Sequence, residues 1–359
     1  DDISQDLRAV ADAGSDRDGS SMEPPFVDIP ANVDLFPFFI ADAEYDRVSE
    51  RIVLVSDDPP GLHVYDPETR DDTAVPLPFR PWRVSVAHDG AHAVAGEYPD
   101  PGATTCRIAY VSLTNVALLK VCTAKLTLSD VVLGPADVAY VFPDYGSTGR
   151  VHSVSFADCA DNDAVLQLYD NESNYGVLSP DGTAVYVAPS TITPSTIRTV
   201  TQPPDAGARW FSDQSAIDTC GRFWLTESEG DVVTECGLIY KDGSNGMPVL
   251  EGALEGYPTR DLELWSVVHS TATHRYAASA LADAVSAMAL GENLRIYRDS
   301  DLKVERDVPM PMLRMTEGGM SAPQPRTVMQ RNDGSKYYVD TSYLAPTKNY
   351  VSAIVTVAP

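Results

Sequence analysis

Short apolar runs that reverse at a polar corner recur along the chain, and their period is that of strands rather than helices. The clearest copies are Val86-Ala87-His88-Asp89-Gly90-Ala91-His92-Ala93-Val94, residues 178–187 around Ser179-Pro180-Asp181-Gly182, and residues 329–339 around Asn332-Asp333-Gly334. Weaker copies surround Pro135, Cys220 and Thr273. Glycine after aspartate supplies the positive φ of a tight hairpin corner. The copies stand roughly 40 to 60 residues apart, the interval at which four-stranded blades repeat.

Val, Ile, Tyr, Phe and Thr runs between Gly, Pro, Asn and Asp clusters fall into seven groups, at residues 35–78, 79–124, 125–171, 172–204, 205–256, 257–311 and 312–359. The fold expected is all-β, a seven-bladed β-propeller of four-stranded antiparallel blades. Six blades with an irregular insertion is the alternative. The fourth group is short of a strand or has a poorly marked one at residues 197–200. Helical periodicity surfaces only at residues 278–290. The last group offers three strands, and an open sheet edge must be covered. Phe26-Val27-Asp28-Ile29-Pro30 is expected to add the missing one. Residues 1–25, rich in Asp, Ser, Gly and Arg, read as a flexible acidic tether ahead of one domain over residues 26–359.

A ring of this kind gathers its second-to-third strand loops on one face. Tyr98, Asp100, Asp144, Tyr145, Asp340 and Tyr343 fall there and would form an acidic rim with aromatic plates for a protein or a small polar ligand. Glu97, Asp144, Glu227 and Asp340 are the carboxylates that a divalent cation such as calcium would take. The plainer reading is that loop ends in so acidic a chain are acidic anyway.

The balance of 26 basic against 52 acidic residues, a net charge of -26, repels phosphate backbones and argues against nucleic acid. No apolar stretch reaches the roughly 20 residues of a membrane helix. Cys106 with Cys122, and Cys220 with Cys236, share one separation of 16 residues and are expected to pair, leaving Cys159 over; ordinary buried thiols are the alternative. Two disulfides fit an exported protein. Acidic tethers often follow a lipid-modified cysteine, so a periplasmic or cell-surface protein is expected, with a lipid anchor upstream as in outer-membrane lipoproteins.

Five of eight methionines lie at residues 310–329; packing is favoured there over Cu(I) ligation, since no His or Cys accompanies them. Asp158, Asp161 and Asp163 read as a turn with solvated acids. His88, His92, His269 and His274 are expected at exposed corners, and His63 and His152 inside. No Ser, His and Asp arrangement or Gly-x-Ser-x-Gly elbow is visible, which leaves a nucleophilic hydrolase without support.

The corner Ser179-Pro180-Asp181-Gly182-Thr183-Ala184-Val185-Tyr186-Val187 and its echoes resemble the seven-bladed propellers of the YVTN and lactonase-like group, with relatives among TolB-like repeats. That group holds sugar-lactone hydrolases, redox subunits, surface-layer proteins and docking scaffolds, so the resemblance implies fold more than activity. A binding or protein-docking scaffold is the function expected. A metal-dependent lactonase-like hydrolase, with a divalent ion on the propeller axis, is the alternative.

Overall fold

A computed structural model describes residues 26–100, 102–144, 149–167, 174–189, 197–200, 221–227, 231–242, 248–256, 262–282, 293–345 and 350–359. Among these residues the chain is all-β, and its one helical turn is the 3-10 segment Pro135–Asp137. Six sheets have four strands and two have three. Seven of them follow one another in sequence, each an antiparallel meander. Their first strands are Ile40–Asp46, Pro81–Val86, Leu128–Gly134, Asn174–Leu178, Phe223–Leu225, Leu262–Ser270 and Pro323–Gln330.

The core lies between these sheets. In the second strand of the first sheet, Arg51–Asp57, the residues Ile52, Val53, Leu54 and Val55 are all 0% exposed. A strand covered on both faces reads as an unbroken apolar run, because alternate side chains enter opposite interfaces. Val53 and Val55 pack with Val84, Ala93 and Ala109 of the second sheet. Ile52 and Leu54 face the other way, toward Met329, Tyr338 and Ile354 of the last sheet. Similar clusters fill the contact of each sheet with the next. Each fully buried aliphatic side chain in them contributes about 1.5–3 kcal/mol.

The Asp-Gly corners form as expected. Gly90, Gly182 and Gly334 have φ of 66°, 71° and 68°, and their N–H groups close turns onto Ala87, Ser179 and Arg331. A Cβ on Gly90 would meet Asp46 Oδ1 at 2.5 Å and Val48 Cβ at 2.6 Å, so the corner also needs glycine where neighbouring sheets meet.

Several expectations are corrected. The strand that completes the last sheet is Val33–Leu35, paired with Tyr350–Val357, and not residues 26–30. Phe26–Val27 instead joins Leu313–Met315 and Met320–Ser321 in a small extra sheet. The Asn32 side chain donates to Thr356 O at 3.0 Å, which anchors Val33–Leu35 in its register. Residues 278–282 belong to the strand Arg275–Ala282, where Ala277 and Ala278 fit tight interfaces; tertiary packing overrides alanine's helical preference. The fourth sheet has three described strands, the third being Arg198–Thr199.

Cys106 lies opposite Ala124 and not Cys122. Cys122 bonds Cys159, with Cα atoms 5.3 Å apart, joining the outer strand of the second sheet to a turn of the third. Cys106 is a buried free thiol whose pKa burial pushes up to about 12. Cys236 is held in a disulfide, and Cys220, its expected partner, lies outside the described residues.

Candidate functional site

Among the described residues a first strand has a strand partner on one edge, so the N–H groups on its other edge need other acceptors. The preceding sheet supplies them from side chains. Asp42 Oδ2 accepts from Val84 N–H at 3.0 Å, and Glu44 Oε2 from Val86 N–H at 2.7 Å. Ser85 Oγ accepts from Leu133 N–H at 3.1 Å, Asp130 Oδ2 from Gly176 N–H at 3.0 Å, and Ser266 Oγ from Val328 N–H at 3.0 Å. A register shift recurs at the start of five of these strands, between Ile40/Asp42, Pro81/Arg83, Leu128/Asp130, Leu264/Ser266 and Pro325/Thr327. Such bulges re-aim side chains. Here they bring Asp42, Arg83, Asp130, Ser266 and Thr327 into one wall.

Residues from all seven first strands, with Arg222 just before the fifth, line one cavity of about 350 Å³. Its acids are Asp42, Glu44 and Asp130; its buried-side bases are Arg83 and Arg222. Burial, opposed by the Val86 N–H and reinforced by Asp42, pushes Glu44 up to about 8. Burial also pushes Asp130 up to about 6, against the pull of Arg83. It opposes the charge of Arg222 too, but Tyr175 and Glu235 hold that pKa above its ordinary value. The Arg222 guanidinium lies over the Tyr175 ring at 4.6 Å.

At the opposite end of the first strands, Gln330 is 2% exposed and neither its amide N nor its O has a hydrogen-bond partner. His269 is 6% exposed, and its closest acidic neighbour, Asp299, is 3.7 Å from Nε2. Burial lowers the His269 pKa. Both residues line the cavity, which corrects the exposed corner expected for His269. Arg47, also in the lining, reaches from the first sheet to Glu227 of the fifth.

The residues singled out from the sequence have different surroundings. Tyr98 is 8% exposed, edge-on to Trp82 at 5.1 Å with Arg80 over its face at 4.4 Å. Asp100 is exposed, Asp144 is half-buried, and Tyr145 lies outside the described residues. Asp340 and Tyr343 belong to the strand Tyr337–Leu344 and not to a loop. Asp340 is 1% exposed and bonded to Arg326 at 2.7 Å; burial pushes it up to about 6. Tyr343 is 0% exposed and donates to Pro311 O at 2.8 Å.

Glu97 is occupied by Arg107. Glu227 accepts from Arg47 and Thr271 at a first-to-second strand corner, not a second-to-third loop, because Phe223–Leu225 is the first strand of its sheet. Burial works against the Glu227 charge, but the Thr271 N–H and Arg47 hold its pKa below the ordinary value. Among the described residues no group of three or more His, Cys, Asp or Glu is arranged to hold a metal ion.

Two histidine networks lie away from the cavity. His152 Nδ1 meets Asp161 Oδ1 at 2.7 Å, so Asp161 is held inside while Asp158 stays exposed. His63 Nδ1 meets Asp72 Oδ2 at 2.8 Å, and its Nε2 lies 3.0 Å from Ser56 Oγ. This is the Ser, His and Asp order that the sequence did not display. Ser56 is 0% exposed and its Oγ also lies 2.6 Å from Pro59 O, so the three side chains form a network buried within the first sheet. The methionines divide as well: Met310 and Met329 pack in cores, whereas Met312 and Met320 are 46% and 51% exposed beside the small extra sheet.

No family model and no curated protein matches the chain. Solved structures do. The β-propeller domain of Cps50 (Swd1) from Myceliophteria thermophila is similar with a TM-score of 0.61 and 9% identity, over 89% of this chain and 98% of that one. A chain of the Mitotic Checkpoint Complex gives 0.62 and 10% over 96% and 98%, and the WD40 repeats of RRP9 give 0.56 and 13% over 91% and 98%. At such identities the likeness defines the class of fold, a β-propeller with WD40-type neighbours. The finer YVTN and lactonase-like grouping is not distinguished by it.

Proposed function

We propose that this chain is an exported seven-bladed β-propeller that works as a protein-docking scaffold. Clusters between all seven successive sheets, including the last against the first, support a closed ring fastened by Val33–Leu35. The Ser179-Pro180-Asp181-Gly182 corner supports a place near the YVTN and lactonase-like propellers. The Cys122–Cys159 disulfide supports an oxidising compartment.

One observation carries the docking role. Val27, Ile29, Met312, Met320 and Leu344 are 36% to 51% exposed around the small extra sheet. Leu344 ends a second strand, and residues 310–322 lead into a first strand, so this patch lies at the end of the ring that also bears Tyr98, Asp100 and Asp144. Exposed apolar groups clustered in this way mark a contact surface for a protein with apolar groups, and the acids at the same end favour one that also carries basic groups. The neighbour within the Mitotic Checkpoint Complex supports the same use of a propeller.

The test is an affinity isotherm for a partner recovered by cross-linking in the native cell. Met312→Asp with Met320→Asp is expected to weaken binding at least about tenfold, and Asp100→Ala with Asp144→Ala by a smaller factor. Unchanged isotherms for both pairs would remove this face from consideration.

A further inference from the structure

We propose that the cavity lined by the seven first strands is a binding site for a small, uncharged polyhydroxy compound, of the monosaccharide or cyclitol class. The inference is independent of the docking face, which lies outside the cavity.

Size comes first. About 350 Å³ is at the lower end of ligand sites, which suits a molecule of one ring. Charge comes second. Asp42 and Asp130 share the lining with Arg83 and Arg222, with Arg47 at the end toward Glu227. A ligand with net charge of either sign meets groups that repel it, and desolvating it finds no full compensation. A multivalent cation is disfavoured further, because no set of three ligating side chains is grouped among the described residues.

Gln330 decides the class. A buried amide left without partners on both its donor and its acceptor atom is costly, and native proteins rarely keep one without a reason. Its neighbour in the lining, His269, has Asp299 at 3.7 Å from Nε2 and no hydrogen bond at Nδ1. A hydroxyl both donates and accepts, so vicinal hydroxyls satisfy an amide pairwise where an ion satisfies half of it. Burial keeps Glu44 largely protonated at neutral pH, adding one more group that donates to an oxygen. Trp224 and Tyr175 add aromatic rings to the same lining, the kind of surface against which the apolar side of a sugar packs.

The full chain is titrated with glucose and myo-inositol, and in parallel with glucosamine, glucuronate and calcium chloride, by calorimetry and thermal unfolding. The neutral probes are expected to give saturable heats and a saturable rise in unfolding temperature. Gln330→Leu removes the unpaired amide at similar volume, so it should leave the unliganded unfolding temperature unchanged or higher while weakening the neutral probes at least about tenfold. Thr327→Val, at the other end of the lining, is the second variant and should weaken them in the same direction.

A rise that grows linearly with polyol concentration and is equal in Gln330→Leu is surface exclusion, and overturns the proposal. So does saturation by glucosamine, glucuronate or calcium without glucose or myo-inositol. Absence of saturable binding by either neutral probe leaves the cavity to water and also overturns it.

Discussion

At the rim, Glu97 pairs with Arg107 and Asp57 with Arg80, long side chains meeting in reach of water. In the cavity wall, Asp42, Glu44 and Asp130 instead accept backbone N–H groups of the next sheet. The residue types are the same and the partners differ. A rim carboxylate faces a flexible cation that solvent can replace, and screening leaves such pairs worth little. A wall carboxylate faces a fixed donor that no strand can reach, so losing it orphans a buried group. Acidic composition alone therefore does not say whether an acid solvates a surface or joins two sheets.

The comparison is tested most severely by Arg326, which donates to Asp340 at 2.7 Å with side-chain exposures of 12% and 1%. Arg326→Met leaves that carboxylate uncompensated, and urea unfolding should show a loss of about 3–5 kcal/mol. Arg326→Met with Asp340→Leu should recover most of it. A single-variant loss below about 1 kcal/mol would make this interior pair no different from a rim pair.

The next effect belongs to the sheet-to-sheet acceptors. Ser85→Ala and Ser266→Ala leave the N–H groups of Leu133 and Val328 without acceptors. Each should cost about 1–3 kcal/mol. Hydrogen exchange sharpens the result, because the amides of Leu133 and Val328 should lose protection before their strand neighbours do. Uniform loss along both strands would point to general loosening instead.

Protonation separates the regions by pH. Folding raises Glu44 from 4.5 to about 8, so between these values the folded protein keeps a proton that the unfolded chain has released. Stability from this group is complete below pH 4.5 and is lost as pH rises toward 8. Asp130 and Asp340 act in the same direction but are exhausted near pH 6. His269, lowered on folding, acts in the opposite direction only below the ordinary histidine value of 6.5. Between pH 7 and 8 the falling limb therefore belongs to Glu44, at most about 1.4 kcal/mol per pH unit for one proton. Glu44→Gln should flatten it in urea unfolding, and an unaltered slope would mean that Glu44 is solvated like a rim acid.

Much of the fold was legible because corner chemistry is local. Asp89-Gly90, Asp181-Gly182 and Asp333-Gly334 announce reversals whatever surrounds them, and unbroken runs such as Ile52 to Val55 announce burial on both faces. The closing strand was misplaced by a few residues, since Phe26-Val27 and Val33 to Leu35 are equally strand-like and only the partner distinguishes them. The Cys122–Cys159 bond joins two sheets, so hairpin spacing pointed to the wrong partner. The cavity was missed because Asp42, Arg83 and Asp130 alternate with apolar residues, which reads as a solvated face. A usable signal was present: Asp42, Arg83 and Asp130 are each the third residue of the first strand in three consecutive sheets, followed two positions on by Glu44, Ser85 or Val132. Gln330 and His269 carried no local sign, because their isolation depends on seven strands meeting.

The smallest effect is expected from Glu97→Gln. Gln keeps an acceptor for the Arg107 N–H, which Glu97 holds at 2.7 Å, and removes only the charge. Arg107 retains its bond to Pro78 O at 2.9 Å and its place over the Phe79 ring at 5.1 Å, so the guanidinium stays anchored. The loss in urea unfolding should be below about 1 kcal/mol at low salt, and it should vanish near 1 M salt, where the screening length is about 3 Å. A salt-independent loss above about 2 kcal/mol would place Glu97 with the wall carboxylates. Calcium offers the sharper form of the test. If calcium stabilises the native chain and not the variant, Glu97 ligates a cation at the rim, and the acids outside the cavity hold more than solvent and neighbouring arginines.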